Sequence, residues 1–457
     1  MPNVDTFPNP YGDMTKEEKH LAASSVRSNS QPAGGTTALQ GAQPTGSLTP
    51  QQVQDLLSAV TPTIAKFRAQ SSPVNADLAT MSLGFGSSET LRLATAGLGV
   101  RLRSAHTINL NVSNSASSAQ VVQFSPFFPY DFVTNTSVQL NAQTTIYSAG
   151  GVAGLMVAMR TRKGALLLTS NNGLNGALVQ VTPGSGITLT TATSPSLSGY
   201  ASMSVAASTS NATLQIVFYT FEKLAKDRTS LLGALALQNN SVYATLTRTI
   251  VGSPVGSNAK SPMYVSGGPP SSLTVALGTN GYQVDTTYDF WNIPSDAALY
   301  QDMVTNSYQV QEQQGISVTA TGTSALTYDL PINQFITALH TIAYDNNGNP
   351  APVGWYSTAY VKYNAGGVTP VVQRQGVTRA SQFIDYDGDI GGFPGYALWD
   401  GNDTASSILD ADSAGWIDTY YAANPQFIMD IAASDAVPMN ISMTRESVVQ
   451  NVQQTIA

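Results

Sequence analysis

From about residue 90 onward, apolar and polar residues alternate with a period of two. Ile108, Leu110 and Val112 alternate with Thr107, Asn109 and Asn111, and Leu214, Ile216 and Phe218 alternate with Thr213, Gln215 and Val217. That is the pattern of strands with one face buried. Turn dipeptides punctuate these runs at Asn172-Gly173, Asn175-Gly176, Pro183-Gly184, Asn280-Gly281, Asn347-Gly348, Asp387-Gly388 and Asp400-Gly401. Many short strands without recurring amphipathic helices predict a mainly β chain, an antiparallel sandwich or barrel, and disfavour a parallel α/β fold. Residues 251–272, with Gly267-Gly268-Pro269-Pro270, have the composition of a linker. The linker divides the β region into 91–268 and 269–457, each long enough for an eight-stranded jelly roll with loop insertions.

Residues 1–90 read differently, as an N-terminal arm. A short charged segment and a Gly/Thr/Gln/Pro-rich stretch precede one predicted helix over 49–70. Thr49 is its N-cap, Pro50 its first helical residue, and Gln52 closes a capping box. Val53, Leu56, Leu57, Val60, Ile64 and Phe67 fall on one face, and Pro62 should kink or divide the helix. That face serves either its own domain, a neighbouring subunit or a membrane surface.

Of the 457 residues, 42% are hydrophobic and only 11% are charged, so amides and hydroxyls must cover much of the surface. Whole-chain disorder is excluded by that hydrophobicity and a net charge of only −8. Zero cysteines remove disulfide frameworks, thiolate metal sites and cysteine nucleophiles together. No basic segment followed by an apolar run opens the chain, and the longest apolar stretches, near Leu155 and Leu231, are far shorter than a membrane span. A soluble protein, or one held in an assembly, is expected. Charge is divided by region. Residues 1–269 carry 16 Lys/Arg and 10 Asp/Glu, net +6, whereas 270–457 carry 4 and 18, net −14. Neither half has the basic stripe of a nucleic-acid binder; complementary halves hint instead at subunit contacts.

Nucleotide-binding, serine-hydrolase and zinc-protease signatures are absent, and no catalytic residue or cofactor is expected. Of three histidines, His20 lies in the arm, and His106 and His340 have no acidic neighbour at catalytic spacing; all read as core or surface residues. Asp385, Asp387 and Asp389 alternate like calcium-loop ligands, but Gly388 and Tyr396 fall where such a loop needs other residues; a solvated acidic loop is the plainer reading. Asp400, Asn402, Asp403, Asp410 and Asp412 follow. Aromatics cluster at 288–291 and 393–399. They suit a sandwich core or an interface; the alternative is a carbohydrate-binding or carbohydrate-active β protein, secreted or virion-associated, with Trp399 and Asp400 in its cleft.

The order of features resembles the double jelly-roll major capsid proteins of tectivirus-like, internal-membrane phages, relatives in fold of the adenovirus hexon. The likeness rests on Leu48-Thr49-Pro50-Gln51-Gln52 opening the arm helix and on Phe218-Tyr219-Thr220 followed by Leu231-Leu232-Gly233-Ala234-Leu235. It continues through Ile342-Ala343-Tyr344-Asp345-Asn346-Asn347-Gly348, Phe393-Pro394-Gly395-Tyr396 and Asn424-Pro425-Gln426-Phe427. The resemblance implies two consecutive eight-stranded jelly rolls after the arm and no enzymatic activity. It further implies homotrimers forming pseudo-hexagonal capsomers of an icosahedral shell around an internal membrane. Expected partners are other copies of the chain, neighbouring capsomers, minor capsid and vertex proteins, and an inner membrane surface met by the arm, with no sequence-specific nucleic acid. The protein would be made in the host cytoplasm and reside in the virion. In a trimer the +6 and −14 halves would meet across subunits, favouring the correct alternation more than adding affinity.

Overall fold

The computed structural model describes residues 63–93, 96–160, 178–226, 231–237, 242–294, 306–362, 371–374, 392–400, 417–420, 424–432 and 437–450. The chain forms two units, residues 1–70 and 71–457. In the first, the described residues form the helix Thr63–Gln70, within the predicted helix 49–70; Pro62, where a kink or division was expected, lies outside the described residues. Phe67 of the arm face is fully buried, and Ile64 lies in the same helix. Val53, Leu56, Leu57 and Val60 lie outside the described residues, as do Asp385, Asp387 and Asp389.

The second unit is built of four sheets. A seven-stranded sheet runs in the order Pro73–Asp77, Leu273–Trp291, Gly97–Asn114, Thr209–Lys223, Val179–Pro183, with Met81–Leu83 and Leu235–Leu237 paired beside it. A nine-stranded sheet runs Tyr396–Asp400, Phe335–Asp345, Met439–Gln450, Asn306–Val318, Thr144–Ala149, Val133–Leu140, Ala244–Ile250, Ser88–Leu93, with Ile417–Asp418 beside Phe335–Asp345. Five short strands including Gln120–Phe124 and Tyr200–Val205 form a third sheet. Gly322–Asp329, Gln426–Ile431, Tyr356–Lys362 and Val371–Arg374 form the fourth. Among the described residues, pairing is antiparallel apart from Val255–Gly256 on Met263–Tyr264 and one junction in the nine-stranded sheet, where Val310 and Gln311 lie parallel to Tyr147 and Ser148. That junction joins strands from before and after Trp291 into one sheet.

Burial follows the expected alternation. Along Gly97–Asn114, Leu102, Ser104, His106, Ile108, Leu110 and Val112 point inward. The pairing bears on the expected division of the chain. Leu273–Trp291 hydrogen-bonds along nearly the whole of Gly97–Asn114, so this strand of 269–457 shares a sheet with strands of 91–268. Residues 251–272 are no free linker, since Val255–Gly256 and Met263–Tyr264 within them pair into the five-stranded sheet. Asn280-Gly281 likewise ends no strand: with φ of +64° and +50° it makes a bulge between Leu277, opposite Leu110, and Tyr282, opposite Ile108.

Apolar side chains gather into two clusters. The larger is built mainly from residues 81–290 and includes Phe124, Phe128, Phe132 and Phe218; the smaller holds Trp355, Trp399, Phe427, Met429 and Met443. The helix Gly151–Met159 (GVAGLMVAM) is apolar all round and accordingly buried, packing on Thr209–Lys223 and on Phe335–Asp345 and Met439–Gln450. Its glycines permit close approach: a Cβ at Gly151 would overlap the Tyr130 carbonyl, and one at Gly154 would stand 2.5 Å from the Tyr147 hydroxyl. Among the described residues, no helix is long and apolar enough to cross a membrane.

Candidate functional site: a buried polar seam

Polar residues at inward-facing strand positions assemble two buried clusters, each centred on a histidine. His106 places Nδ1 2.9 Å from the Tyr282 hydroxyl and Nε2 3.0 Å from Thr220 Oγ1. The Thr220 hydroxyl donates its one proton to Glu222 at 2.8 Å, so His106 Nε2–H must donate to Thr220 and Nδ1 accept from Tyr282. That assigns a neutral imidazole, in keeping with a pKa held well below the usual value by burial and by Arg248. Arg248 is itself fully buried and donates to Glu222 (2.9 Å), Thr136 (3.1 Å) and Ser104 (2.5 Å). The Phe218 ring stacks on His106 at 4.5 Å between centroids.

His340 repeats the arrangement. Its Nδ1 lies 2.8 Å from the Tyr396 hydroxyl and its Nε2 2.7 Å from Glu446. Burial lowers the His340 pKa despite the neighbouring carboxylate, so Nε2–H donates to Glu446 and Tyr396 donates to Nδ1. Glu446 has no exposed surface, and burial alone would raise its pKa. Arg160 (3.1 Å), Lys223 (3.9 Å) and the His340 bond outweigh burial and hold the carboxylate well below its ordinary range. The Tyr308 hydroxyl also donates to Glu446, and burial followed by that carboxylate drives the phenol pKa upward. Arg160 turns its other nitrogens on Asp400 in a two-pronged pair of 2.9 and 2.5 Å.

The two clusters share a register. Tyr282 stands opposite Ile108, two residues beyond His106, and Tyr396 stands opposite Ile342, two beyond His340. Thr220 and Glu446 each stand opposite the residue two before their histidine, Ser104 and Ala338. Thr220 therefore occupies the place of Glu446 and passes the contact on to Glu222. Within the nine-stranded sheet, Asp400, Ala338, Glu446, Val310, Tyr147, Val138 and Leu246 form one continuous row of cross-strand partners. The Glu446 cluster thus lies where strands from before Trp291 meet strands from after Asn306.

Beside this row is a cavity of about 270 Å³ lined by Phe127, Asp131, Lys260, Glu312, Ile342 and Tyr344 among others. Glu312 accepts from the Gly150 amide (2.6 Å) at the start of the buried helix and from the Ser442 hydroxyl. The Asp131 carboxyl oxygens are buried without a well-formed hydrogen bond, and burial, opposed by weak interactions with the Ser125 hydroxyl and its own backbone amide, pushes its pKa up to about 7.

Both described histidines have each ring nitrogen engaged and almost no exposed surface. Neither can reach a solute without opening the core, so the arrangement orients strands and holds charge. Among the described residues, no group of three or more His, Asp or Glu is placed to hold a metal ion. The saccharide cleft expected at Trp399 and Asp400 is not favoured: Trp399 is 3% exposed in the smaller core, and Asp400 faces Arg160. Tyr288 and Phe290 stack on each other in the larger core, and Phe393 and Tyr396 are buried there too. Sequence spacing missed the acidic partners because Glu446 is 106 positions from His340. The available signal was the inward register of Glu222, two residues past Thr220, and of Glu446 within an otherwise buried strand.

No family model matches the chain, and no curated protein matches it. Solved structures do. The major capsid protein of STIV matches with a TM-score of 0.54 at 13% identity, covering 84% of this chain and 99% of that one. A chain of the atomic structure of Sulfolobus Turreted Icosahedral Virus matches with a TM-score of 0.51 at 12% identity, covering 84% and 92%. At such identities the likeness establishes the fold: this chain is mainly β and has the double jelly-roll architecture of those proteins.

Proposed function

We propose that the chain is a major capsid protein of a virus. The observation that carries this reading is the alignment over 99% of the STIV capsid protein, which leaves no part of that fold unaccounted for. The resemblance in sequence order to phage capsid proteins agrees with it, as do histidines sealed inside the core. In this reading the protein has no enzymatic activity and acts by self-assembly. Three copies form a pseudo-hexagonal capsomer, and capsomers tile an icosahedral shell around an internal membrane, together with minor capsid and vertex proteins. The first jelly roll ends at Trp291 and the second begins by Asn306, because Leu273–Trp291 completes the first sheet. Of the arm face of Val53, Leu56, Leu57, Val60, Ile64 and Phe67, Phe67 is already buried within the chain, and the rest contacts a neighbouring subunit or the inner membrane surface. Synthesis takes place in the host cytoplasm and the mature location is the virion.

The test is the absolute mass of the purified protein by light scattering, with electron microscopy of the particles. Trimers of hexagonal outline support the capsid reading, and a monomer at every concentration rejects it.

A further inference from the structure

We infer that the Glu446 cluster is an acid-operated latch holding the part of the chain before Trp291 against the part after Asn306, whether or not the chain forms a capsid. The cations on Glu446, Arg160 and Lys223, come from the first part; the carboxylate itself, His340 and Tyr308 come from the second. Backbone support at this place in the nine-stranded sheet is thin. Two residue pairs join the parallel strands, supplemented by the Tyr308 amide on the Gly233 carbonyl at 3.0 Å. The second part has its own apolar cluster, containing no residue before Val318, while Tyr308, Val310, Ala338 and Val448 pack in the larger cluster shared with the first part, so the latch acts on top of apolar packing across the seam.

Among the described residues, the groups facing Glu446 come from several elements. Arg160 follows the buried helix, Lys223 ends Thr209–Lys223, and Tyr308 and His340 stand on the two flanking strands, while Tyr147 adds its dipole across the parallel junction. Behind them stand Tyr396 on His340 and Asp400 on Arg160. Arg445, next along the same strand, points to the other face and bonds Gln311.

The sign of the pH effect follows from the depressed pKa values. With the seam closed, His340 is neutral and Glu446 ionised. With the seam open, both regain ordinary values near ~6.5 and ~4.3. Opening therefore takes up one proton between those values and two below the lower one. The stabilisation is fully present at neutral pH and fades as pH falls. The opening constant should rise as pH falls below about 6.5 through His340, and more steeply once Glu446 also takes up a proton on opening.

Native-state hydrogen exchange on the full chain from pH 7.5 to 4, corrected for intrinsic rates, tests this. The Tyr308 amide, bonded across the seam to the Gly233 carbonyl, and the amides at the Val310–Gln311 junction report the seam, and Gln426–Ile431 serves as reference. Seam amides should open progressively in acid while the reference stays protected. Glu446→Gln should raise seam opening at pH 7 at least 100-fold. If that variant does not fold, His340→Gln should remove only the shallower, one-proton slope. A pH-independent seam, or seam and reference opening together as one transition, would overturn the latch.

Discussion

Arg160 and Asp400 are 240 positions apart in the chain and meet in a two-pronged ion pair with side chains less than a tenth exposed. The same guanidinium reaches Glu446 at 3.1 Å. Part of the charge asymmetry between the halves is therefore matched inside one molecule, where the first half supplies Arg160 and Lys223 and the second Asp400 and Glu446. Removing one member of a buried pair leaves its partner uncompensated in a medium of low dielectric. Arg160→Met should lower unfolding stability by about 3–5 kcal/mol, and Arg160→Lys should recover only part because the fork is lost. Urea denaturation of the three proteins checks this; a wild-type midpoint for Arg160→Met would show that the pair contributes nothing.

Asp131 reverses the usual pH behaviour of a carboxyl. Its folded pKa of about 7 lies above the ordinary 3.8, so the folded state keeps a proton that the unfolded chain gives up. Its contribution to stability is present below 3.8 and fades as pH rises toward 7. Asp131→Asn, which keeps the neutral shape at all pH values, should gain stability relative to wild type between pH 5 and pH 8. Thermal unfolding at the two pH values decides it, and an equal difference at both would contradict a protonated Asp131.

Salt should separate two kinds of pairing. Buried pairs such as Arg248 with Glu222, at 0% and 3% side-chain exposure, are barely screened, whereas charges facing a neighbouring subunit are. The unfolding midpoint of the isolated chain should shift little between low and high salt, while the proposed trimer should dissociate more readily. A trimer indifferent to salt would remove charge complementarity from the account of its assembly.

Gly151 lies in a helix where alanine would normally be favoured by about 1 kcal/mol. Here a Cβ would overlap the Tyr130 carbonyl, which is backbone and cannot step aside cheaply. Gly151→Ala should destabilise by roughly 1–3 kcal/mol. A stabilised variant, measured by the same denaturation, would mean that the helix can shift.

Trp399 sits at 3% exposure among Trp355, Phe427 and Met429. Trp399→Ala should cost about 3–5 kcal/mol through the cavity it leaves. Saccharide array binding by wild type, lost in a folded Trp399→Ala protein, would reinstate the carbohydrate reading.

The strands and their inward faces were legible because burial of one sheet face imposes alternation, as Ile108, Leu110 and Val112 show. The sheet to which Leu273–Trp291 belongs was not legible. Gly267-Gly268-Pro269-Pro270 signals a break in local structure, but sheet membership is decided by the pairing of Leu273–Trp291 with a strand more than 150 residues earlier. Asn280-Gly281 misled similarly, since positive φ serves a bulge as well as a hairpin. The polar seam was hidden for a further reason. His106 and His340 acquire their meaning from Glu222 and Glu446, and only the cross-strand registers bring those residues together.

The central claim is that this double jelly roll assembles as a capsomer. The direct measurement is the absolute mass of the full chain by size exclusion with light scattering, repeated on a chain lacking residues 1–72. The account predicts three times 47.9 kDa for the full chain, with the trimer surviving loss of the arm. A monomer in both cases would contradict it.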